Sequence, residues 1–382
     1  MPALEDELLA RRDVPVDAAR TLPAAWYADP EHHVTELDAV FRHDWVGVGV
    51  TDDVASPGSY LATTVGGSVP IVVTRDEAGA LRAFHNVCRH RAAPVAEGCG
   101  DARLLQCPYH AWIYRLDGSL AKAGGIGTPA GFTTDDLPLH EVRVTTFART
   151  VLVNLDPGAA DFDPGPLAAG LAPYGIDDME LVARDRWERR FNWKVFLENY
   201  SENYHTPFVH PELVNAGWDY PTETAGPIVF AWDAPHLPRT PGEEALARSR
   251  PGEQGWERVA EAFEDDSFIG GSYVTLWPNT MISVFADFAA TLRLDPLGPE
   301  CTAVSREYFW HRRVPEARRD ADLRATQRVG AQDLDICEAV QRSHSGGTSA
   351  GGPLSTEHER GVAHLHRLLV AALSRRVDGA RP

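Results

Sequence analysis

The sequence predicts an α+β protein of two domains, a small all-β domain followed by a larger one in which helices flank an antiparallel sheet. Between about residues 45 and 155 the apolar residues fall in short runs separated by glycine and proline, as in short strands joined by turns. Beyond about residue 187 the strand-like runs lengthen, and helical periodicity returns on both sides of them. The 382 residues suffice for two domains with a substantial core.

The elements follow in order. Residues 1–44 form an N-terminal segment expected to pack on the second domain; Leu22-Pro-Ala-Ala-Trp-Tyr-Ala-Asp-Pro leads into a helical pattern through Val40 and Phe41. The first domain, 45–155, has strand runs at Val69–Thr74, Leu81–Val87 and Val151–Leu155. The second, 156–382, opens with a Pro-, Gly- and Asp-rich linker over 156–175, and residues 187–206 carry a helical pattern. Strand runs are expected at Tyr273–Trp277, Met281–Phe288, Ala290–Leu294 and Ala303–Trp310, with turn signals at Pro278-Asn279, Asp295-Pro296 and Gly298-Pro299. Residues 315–342 return to helix, and Ser343–Pro353 reads as a mobile loop. A last helix opens at Thr356 with Glu359 completing a capping box, and Val362, Leu365, Leu369 and Ala372 form its core-facing stripe.

Composition excludes several function classes. A formal charge of −19 argues against nucleic acid, whose phosphates need clustered Lys and Arg. It reads as solubility, or as an acidic face that a basic partner could use. No apolar stretch approaches membrane-spanning length. The acidic start MPALEDELLARRDVP lacks the apolar core of a secretory signal, so a cytoplasmic location is expected. The five cysteines are too few and too irregular for a disulfide framework, and Cys near His in a reducing compartment points to metal.

The first such constellation is Asn86-Val-Cys88-Arg-His90-Arg followed by Gln106-Cys107-Pro-Tyr-His110-Ala-Trp-Ile-Tyr. Each pair offers one thiolate and one imidazole. Two thiolates can hold one iron of a [2Fe–2S] cluster and two imidazoles the other, which is the Rieske arrangement. Tetrahedral zinc is the alternative, but zinc sites usually pair Cys with Cys and His with His. Cys99, between the pairs, reads as a structural or surface thiol. The two segments resemble the Rieske domain of ring-hydroxylating and related oxygenases. A Rieske electron carrier would need only about the first third of the chain.

The second constellation is Glu198-Asn199-Tyr200-Ser201-Glu202-Asn203-Tyr204-His205, with Pro207 and His210 following. On a helix Glu198, Glu202 and His205 fall at i, i+4 and i+7 on one face. Pro207 would end that helix and let His210 swing back towards His205. Two imidazoles are two-thirds of a facial triad for non-haem Fe(II), although such a His pair alone is often incidental. This segment is similar to the catalytic motif of Rieske oxygenases, and the two motifs together cover most of the chain's architecture.

That resemblance implies a helix-grip (START-like) catalytic domain with a curved antiparallel sheet and a mononuclear Fe(II) held by His205, His210 and a downstream carboxylate. In the family an Asp followed five residues later by Glu supplies it, which picks Asp333 before Glu338, with Asp335 as the alternative. Asn199 would be an uncoordinated neighbour of the iron. Glu202 stands where most members have Asp, bridging His205 to a cluster histidine (His110 or His90) of the next subunit of a ring-shaped homotrimer; the alternative is that it only orients His205. A separate NAD(P)H-dependent flavin/iron–sulfur reductase is implied, and no dinucleotide fingerprint is read in this chain. The glutamate, with Leu22-Pro-Ala-Ala-Trp-Tyr and Leu276-Trp-Pro-Asn-Thr-Met, resembles the branch of carnitine, choline and glycine betaine monooxygenases. O2 and a small quaternary ammonium substrate are then expected, with Trp218, Tyr220, Trp232, Trp277 and Phe285 as candidates for an aromatic cage. An aromatic or natural-product substrate is the alternative.

Overall fold

A computed structural model describes residues 10–11, 14–127, 129–210, 222–226, 228–233, 271–285 and 287–379. The chain divides into two compact units, one of residues Phe41–Asp163 and one of the residues up to Val40 together with those from Pro164 onward.

The first unit is all-β. Its strands are β1 (Val46–Val50), β2 (Ser59–Val65), β3 (Val69–Arg75), β4 (Leu81–His85), β5 (Cys99–Asp101), β6 (Leu104–Gln106), β7 (Trp112–Arg115), β8 (Leu120–Ala123), β9 (Glu141–Phe147) and β10 (Thr150–Asn154). A sheet in the order β1-β10-β9-β4-β3-β2-β5 is joined by a small sheet β6-β7-β8. The small sheet closes on the large one through a buried cluster that includes Val72, Phe84, Trp112, Tyr114, Leu116 and Leu139. Gly118 makes the β7–β8 turn possible. Its φ is +84°, and a Cβ there would lie 2.3 Å from the Phe84 ring.

The second unit contains α1 (Ala25–Ala28), α2 (Pro30–Glu36), α3 (Leu167–Leu171), β11 (Glu180–Arg189), α4 (Trp193–Tyr200), α5 (Thr206–Val209), β12 (Thr222–Ala225), β13 (Ile228–Asp233), β14 (Gly271–Leu276), β15 (Thr280–Phe285), β16 (Phe288–Gly298), β17 (Cys301–Trp310), α6 (Glu316–Ser345) and α7 (Arg360–Gly379). Among the described residues its strands form one antiparallel sheet, β11-β17-β16-β15-β14-β13-β12. The long helix α6 lies against one face: Leu323 packs on the Tyr308–Trp310 cluster, and Gln327 Nε2 donates to Asp185 Oδ2 of β11. The buried residues of α6 include Gly330, Leu334, Cys337 and Gln341, at helical spacings of three and four.

A buried polar network anchors α4. Lys194 and Glu36 are almost fully buried and pair at 2.7 Å. Lys194 Nζ also donates to Asn192 Oδ1, and the Trp193 indole N–H donates to Glu36 Oε2. Breaking such a pair strands a charge in the interior, which costs about 3–5 kcal/mol. One turn on, Glu198 Oε1 accepts from the Tyr27 hydroxyl at 2.6 Å and lies 2.9 Å from His366 Nε2 of α7.

Several expected elements are corrected. Residues 187–206 are not one helix: β11 runs to Arg189, α4 spans Trp193–Tyr200, and the chain turns before α5. Glu198, Glu202 and His205 therefore do not share a helical face. Pro207 opens α5 rather than ending a helix, because its missing N–H costs nothing in a first turn. The linker at 156–175 contains α3, and Asp295-Pro296 lies inside β16, next to a register shift at Gly298. The last helix starts at Arg360; its reciprocal cap joins Ser355, whose N–H donates to Glu359 and whose Oγ accepts from the His358 N–H.

Candidate metal centres

The Cys/His pairs lie on two loops of the all-β unit whose backbones match. The Cys88 carbonyl accepts from the Ala92 N–H, and the Cys107 carbonyl from the Ala111 N–H. The Cys88 N–H donates to the Ala93 carbonyl, and the Cys107 N–H to the Trp112 carbonyl. Ala92 and Ala111 both adopt left-handed backbone, with φ of 62° and 55°. Side chains rarely tolerate this conformation, so the same strained turn in both loops marks a constrained site. Both thiols are buried, and the Tyr114 hydroxyl lies 3.5 Å from Cys88 Sγ while accepting from the Arg89 N–H. Burial pushes the Cys107 thiol up, and the neighbouring Cys88 adds to it. The His90 and His110 rings stand 4.6 Å apart, His90 stacks on Trp112, and His110 is exposed. His90 Nδ1 is buried with no hydrogen-bond partner, as a metal-ligating nitrogen would be.

The second centre brings together His205 and His210, which flank α5, and Asp333 of α6. Asp333 Oδ1 lies 3.0 Å from His210 Nε2 and 3.4 Å from His205 Nε2. These three side chains are the set among the described residues whose donor atoms could close on one metal ion. Asp333 Oδ1 is buried and makes no aligned hydrogen bond despite that proximity. The outer nitrogens are engaged: His205 Nδ1 faces Glu202 Oε1 at 2.5 Å, and His210 Nδ1 faces Gln332 Oε1 at 2.7 Å. Both partners are acceptors, so both Nδ1 atoms carry a proton and both Nε2 atoms face Asp333. Burial alone would lower the His205 pKa, but the Asp333 and Glu202 carboxylates outweigh it and hold it at about 10.

Glu202 also fixes the local chain. Its Oε2 accepts from the backbone N–H groups of Tyr204 and His205, which ties the turn between α4 and α5. Asp333 faces inward because it shares a stripe with Gly330, Leu334 and Cys337. Ile336, expected on that face, is 39 % exposed. Asp335 is turned away, its side chain 75 % exposed beside Arg189. Asn199 is half-buried and makes no side-chain hydrogen bond among the described residues.

Above the sheet lies an aromatic face. Cross-strand pairing puts Tyr308, Ala290, Ser283 and Tyr273 in one row, all on the same face. The Tyr200 hydroxyl of α4 bonds Ser283 Oγ, and its ring lies 6.1 Å from that of Tyr273. Burial pushes the Tyr200 phenol up to about 12, so it stays protonated. Phe285 stands edge-on to Tyr273 at 5.6 Å and stacks with Phe288, which meets Trp310 at 4.7 Å. Tyr273, Phe285 and Phe288 keep partial accessibility while Val274, Val284 and Ala289 beside them are buried. These three rings are the partly exposed members of the aromatic face. Of the predicted cage, Phe285 belongs to it; Trp277 is buried edge-on to Trp193. Trp232 lies on β13 opposite Tyr273 in register. Trp218 and Tyr220 lie outside the described residues. Sequence reasoning missed Gln332, Tyr273 and Ser283; the alternation of β14 and β15 was the available signal for the last two.

Residues 44–132 match the Rieske [2Fe-2S] domain family, and residues 176–375 match the ring hydroxylating alpha subunit (catalytic domain). The chain belongs to the Rieske non-haem iron oxygenases. The oxygenase is 30% identical to the glycine betaine monooxygenase oxygenase subunit of Chromohalobacter salexigens, over 100% of this chain and 93% of the relative. It is 31% identical to the chloroplastic choline monooxygenase of Arabidopsis thaliana, over 93% of this chain and 83% of the relative. Its structure is similar to that of the quaternary ammonium Rieske monooxygenase CntA in complex with L-carnitine, with a TM-score of 0.76, 25% identity, and coverage of 93% of this chain and 96% of that one. Membership brings a [2Fe–2S] cluster and a mononuclear iron. The orphaned His90 Nδ1 and Asp333 Oδ1 and the two donor sets suit those groups. Among the described residues no helix is long and apolar enough to cross a membrane.

Proposed function

We propose that this chain is the terminal oxygenase of a quaternary ammonium monooxygenase system. It hydroxylates a C–H bond beside the nitrogen of a small substrate such as glycine betaine, choline or carnitine. The observation that carries the reading is the aromatic face beside Tyr200, in the same unit as the His205/His210/Asp333 seat. The substrates named for the relatives support it. Cys88 and Cys107 would hold one iron of the cluster and His90 and His110 the other, with His205, His210 and Asp333 holding the mononuclear iron. When bound, the cluster supplies single electrons and the mononuclear iron activates O2 for insertion of one oxygen atom into a C–H bond.

The chain's own residues do the rest. Glu202 and Gln332 keep the Nδ1 protons of His205 and His210 and so aim both Nε2 atoms inward. Tyr273, Phe285 and Phe288 offer ring faces to a quaternary cation. Ser283 and Tyr200 hold each other in place at the edge of that face. A hydroxylated N-methyl group then breaks down to an amine and an aldehyde.

Electrons would come from a separate NAD(P)H-dependent flavin/iron–sulfur reductase, in the cytoplasm, and the oxygenase would work as a homotrimer with Glu202 linking His205 to a cluster histidine of the next subunit. The exposure of His110 and of Tyr109 beside it supports a neighbour at that surface, as does the inter-subunit electron transfer named for a quaternary ammonium Rieske monooxygenase structure. The test is oxygen and NADH consumption with a surrogate reductase, comparing glycine betaine, carnitine, choline and stachydrine with aromatic acids. Aldehyde release coupled to oxygen uptake is expected from an ammonium compound, and its absence from all of them would overturn the reading.

A further inference from the structure

Arg306 of β17 makes no ion pair among the described residues. It lies on the same face as the aromatic row, two residues before Tyr308, and its direct cross-strand neighbours are Asp185 and Leu292. Its guanidinium rests over the Tyr308 ring, 5.2 Å from the centroid. Its Nε is buried with no hydrogen-bond partner, and among the described residues it makes no ion pair. Asp185 stands across the strand, but its Oδ2 accepts from the Tyr308 hydroxyl and from Gln327 Nε2, and no ion pair joins it to Arg306 among the described residues. A buried guanidinium N–H without a partner is costly, and a bound anion would offset that cost.

The helix above leaves room for that charge. A Cβ on Gly330 would fall 2.8 Å from Arg306 Nη1, so α6 comes this close only because it has no side chain there. Gly330 lies three residues before Asp333, about 4.5 Å along the helix axis. The Arg306 and Asp333 charges also act in opposite senses on the Tyr200 and Tyr273 phenols, whose main perturbation is burial. Guanidinium, aromatic face and metal seat therefore belong to one neighbourhood. Arg306 retains partial accessibility, like Tyr273 and Phe285 and unlike its buried neighbour Glu307.

We propose that Arg306 is the carboxylate-recognising residue of this site, and that the substrate is a betaine, carrying a carboxylate as well as a quaternary ammonium group. This rests on the quaternary ammonium reading above and narrows it. A cationic substrate with a hydroxyl tail would bring a second positive charge towards a guanidinium that has no ion pair among the described residues. A betaine brings its own anion. Its carboxylate meets the guanidinium in charge-assisted hydrogen bonds, and its methylammonium end remains for the ring faces.

Glycine betaine and choline isolate the difference, since they share the trimethylammonium head and differ in carboxylate against hydroxyl. Steady-state kcat/KM and anaerobic calorimetric binding would be measured for both with iron-replete wild type, R306M and R306K. Wild type is expected to favour glycine betaine. R306M is expected to lower the glycine betaine to choline ratio by about 10- to 100-fold, mainly through KM, as for loss of a charge-assisted bond. R306K, which keeps the charge but not the fork, should fall between. G330A, whose methyl group crowds Nη1, should lower the ratio by a smaller factor and serves if R306M loses iron or cluster absorbance. A wild-type preference for choline, or a ratio unchanged in R306M, overturns the proposal while leaving ammonium oxidation standing. If neither compound yields aldehyde, calorimetry decides: glycine betaine binding that is unchanged in R306M overturns the proposal, while the quaternary ammonium reading fails only if carnitine and stachydrine give no aldehyde either.

Discussion

In the all-β unit the four candidate ligands sit on two loops with one backbone design, each closed by a Cys carbonyl bond and a left-handed alanine. In the other unit the three candidates come from the two ends of α5 and from a helix more than a hundred residues downstream, and side chains aim them: Glu202 for His205, Gln332 for His210. The cluster seat is thus organised by main chain, and the mononuclear seat by acceptors outside the ligand set. Backbone geometry tolerates changes of side chain. Side-chain aiming exposes the seat to substitutions that touch no ligand.

The contrast can be broken at its root by removing ligands. H210A or D333A should reduce iron from about three to about two per chain and abolish coupled turnover while the cluster's visible spectrum persists; C107S should do the reverse to the spectrum. Iron analysis with absorbance on the same samples checks this, and simultaneous loss of both signals would show that the seats are not independently built. The next effect in size concerns the foundation of α4. K194M should cost about 3–5 kcal/mol, because Glu36 is left buried and unpaired, and should lower the melting temperature with the folded cluster spectrum unchanged.

Smaller effects sharpen the comparison. Q332L should weaken mononuclear metal binding by about 10- to 100-fold in chelator competition, with cluster content unaffected. An unaltered affinity would mean that the His210 ring is held by packing alone. Ala111→Gly should change stability by under about 1 kcal/mol, since relief of the left-handed strain offsets the added chain freedom. A marked shortening of cluster lifetime in that variant would argue against a seat set by backbone conformation.

What could be read in the sequence follows the same divide. Cys88, His90, Cys107 and His110 stand out because their spacing is local and their residue types are mixed. His205 and His210 stood out as well, but the expected helix around them did not form. Glu202 captures the N–H groups of Tyr204 and His205, which a continuing helix would have bonded to carbonyls four residues back. Asp333 needed a helical face to separate it from Asp335, and Ile336 indicated the wrong partner residues for that face. Arg306 was hidden altogether. In Ser305-Arg-Glu-Tyr-Phe-Trp a charged pair reads as a solvated edge, and only register with β16 and β11 places it beside the aromatic row.

The row across β14 to β17 has a practical consequence for diversification. Because strand side chains alternate, Tyr273, Ser283 and Arg306 can each be exchanged without altering Val274, Ile282 or Phe309 on the opposite face. Selectivity could then drift one position at a time while the scaffold keeps its fold, which makes these three sites a compact library for directed evolution of new oxygenases.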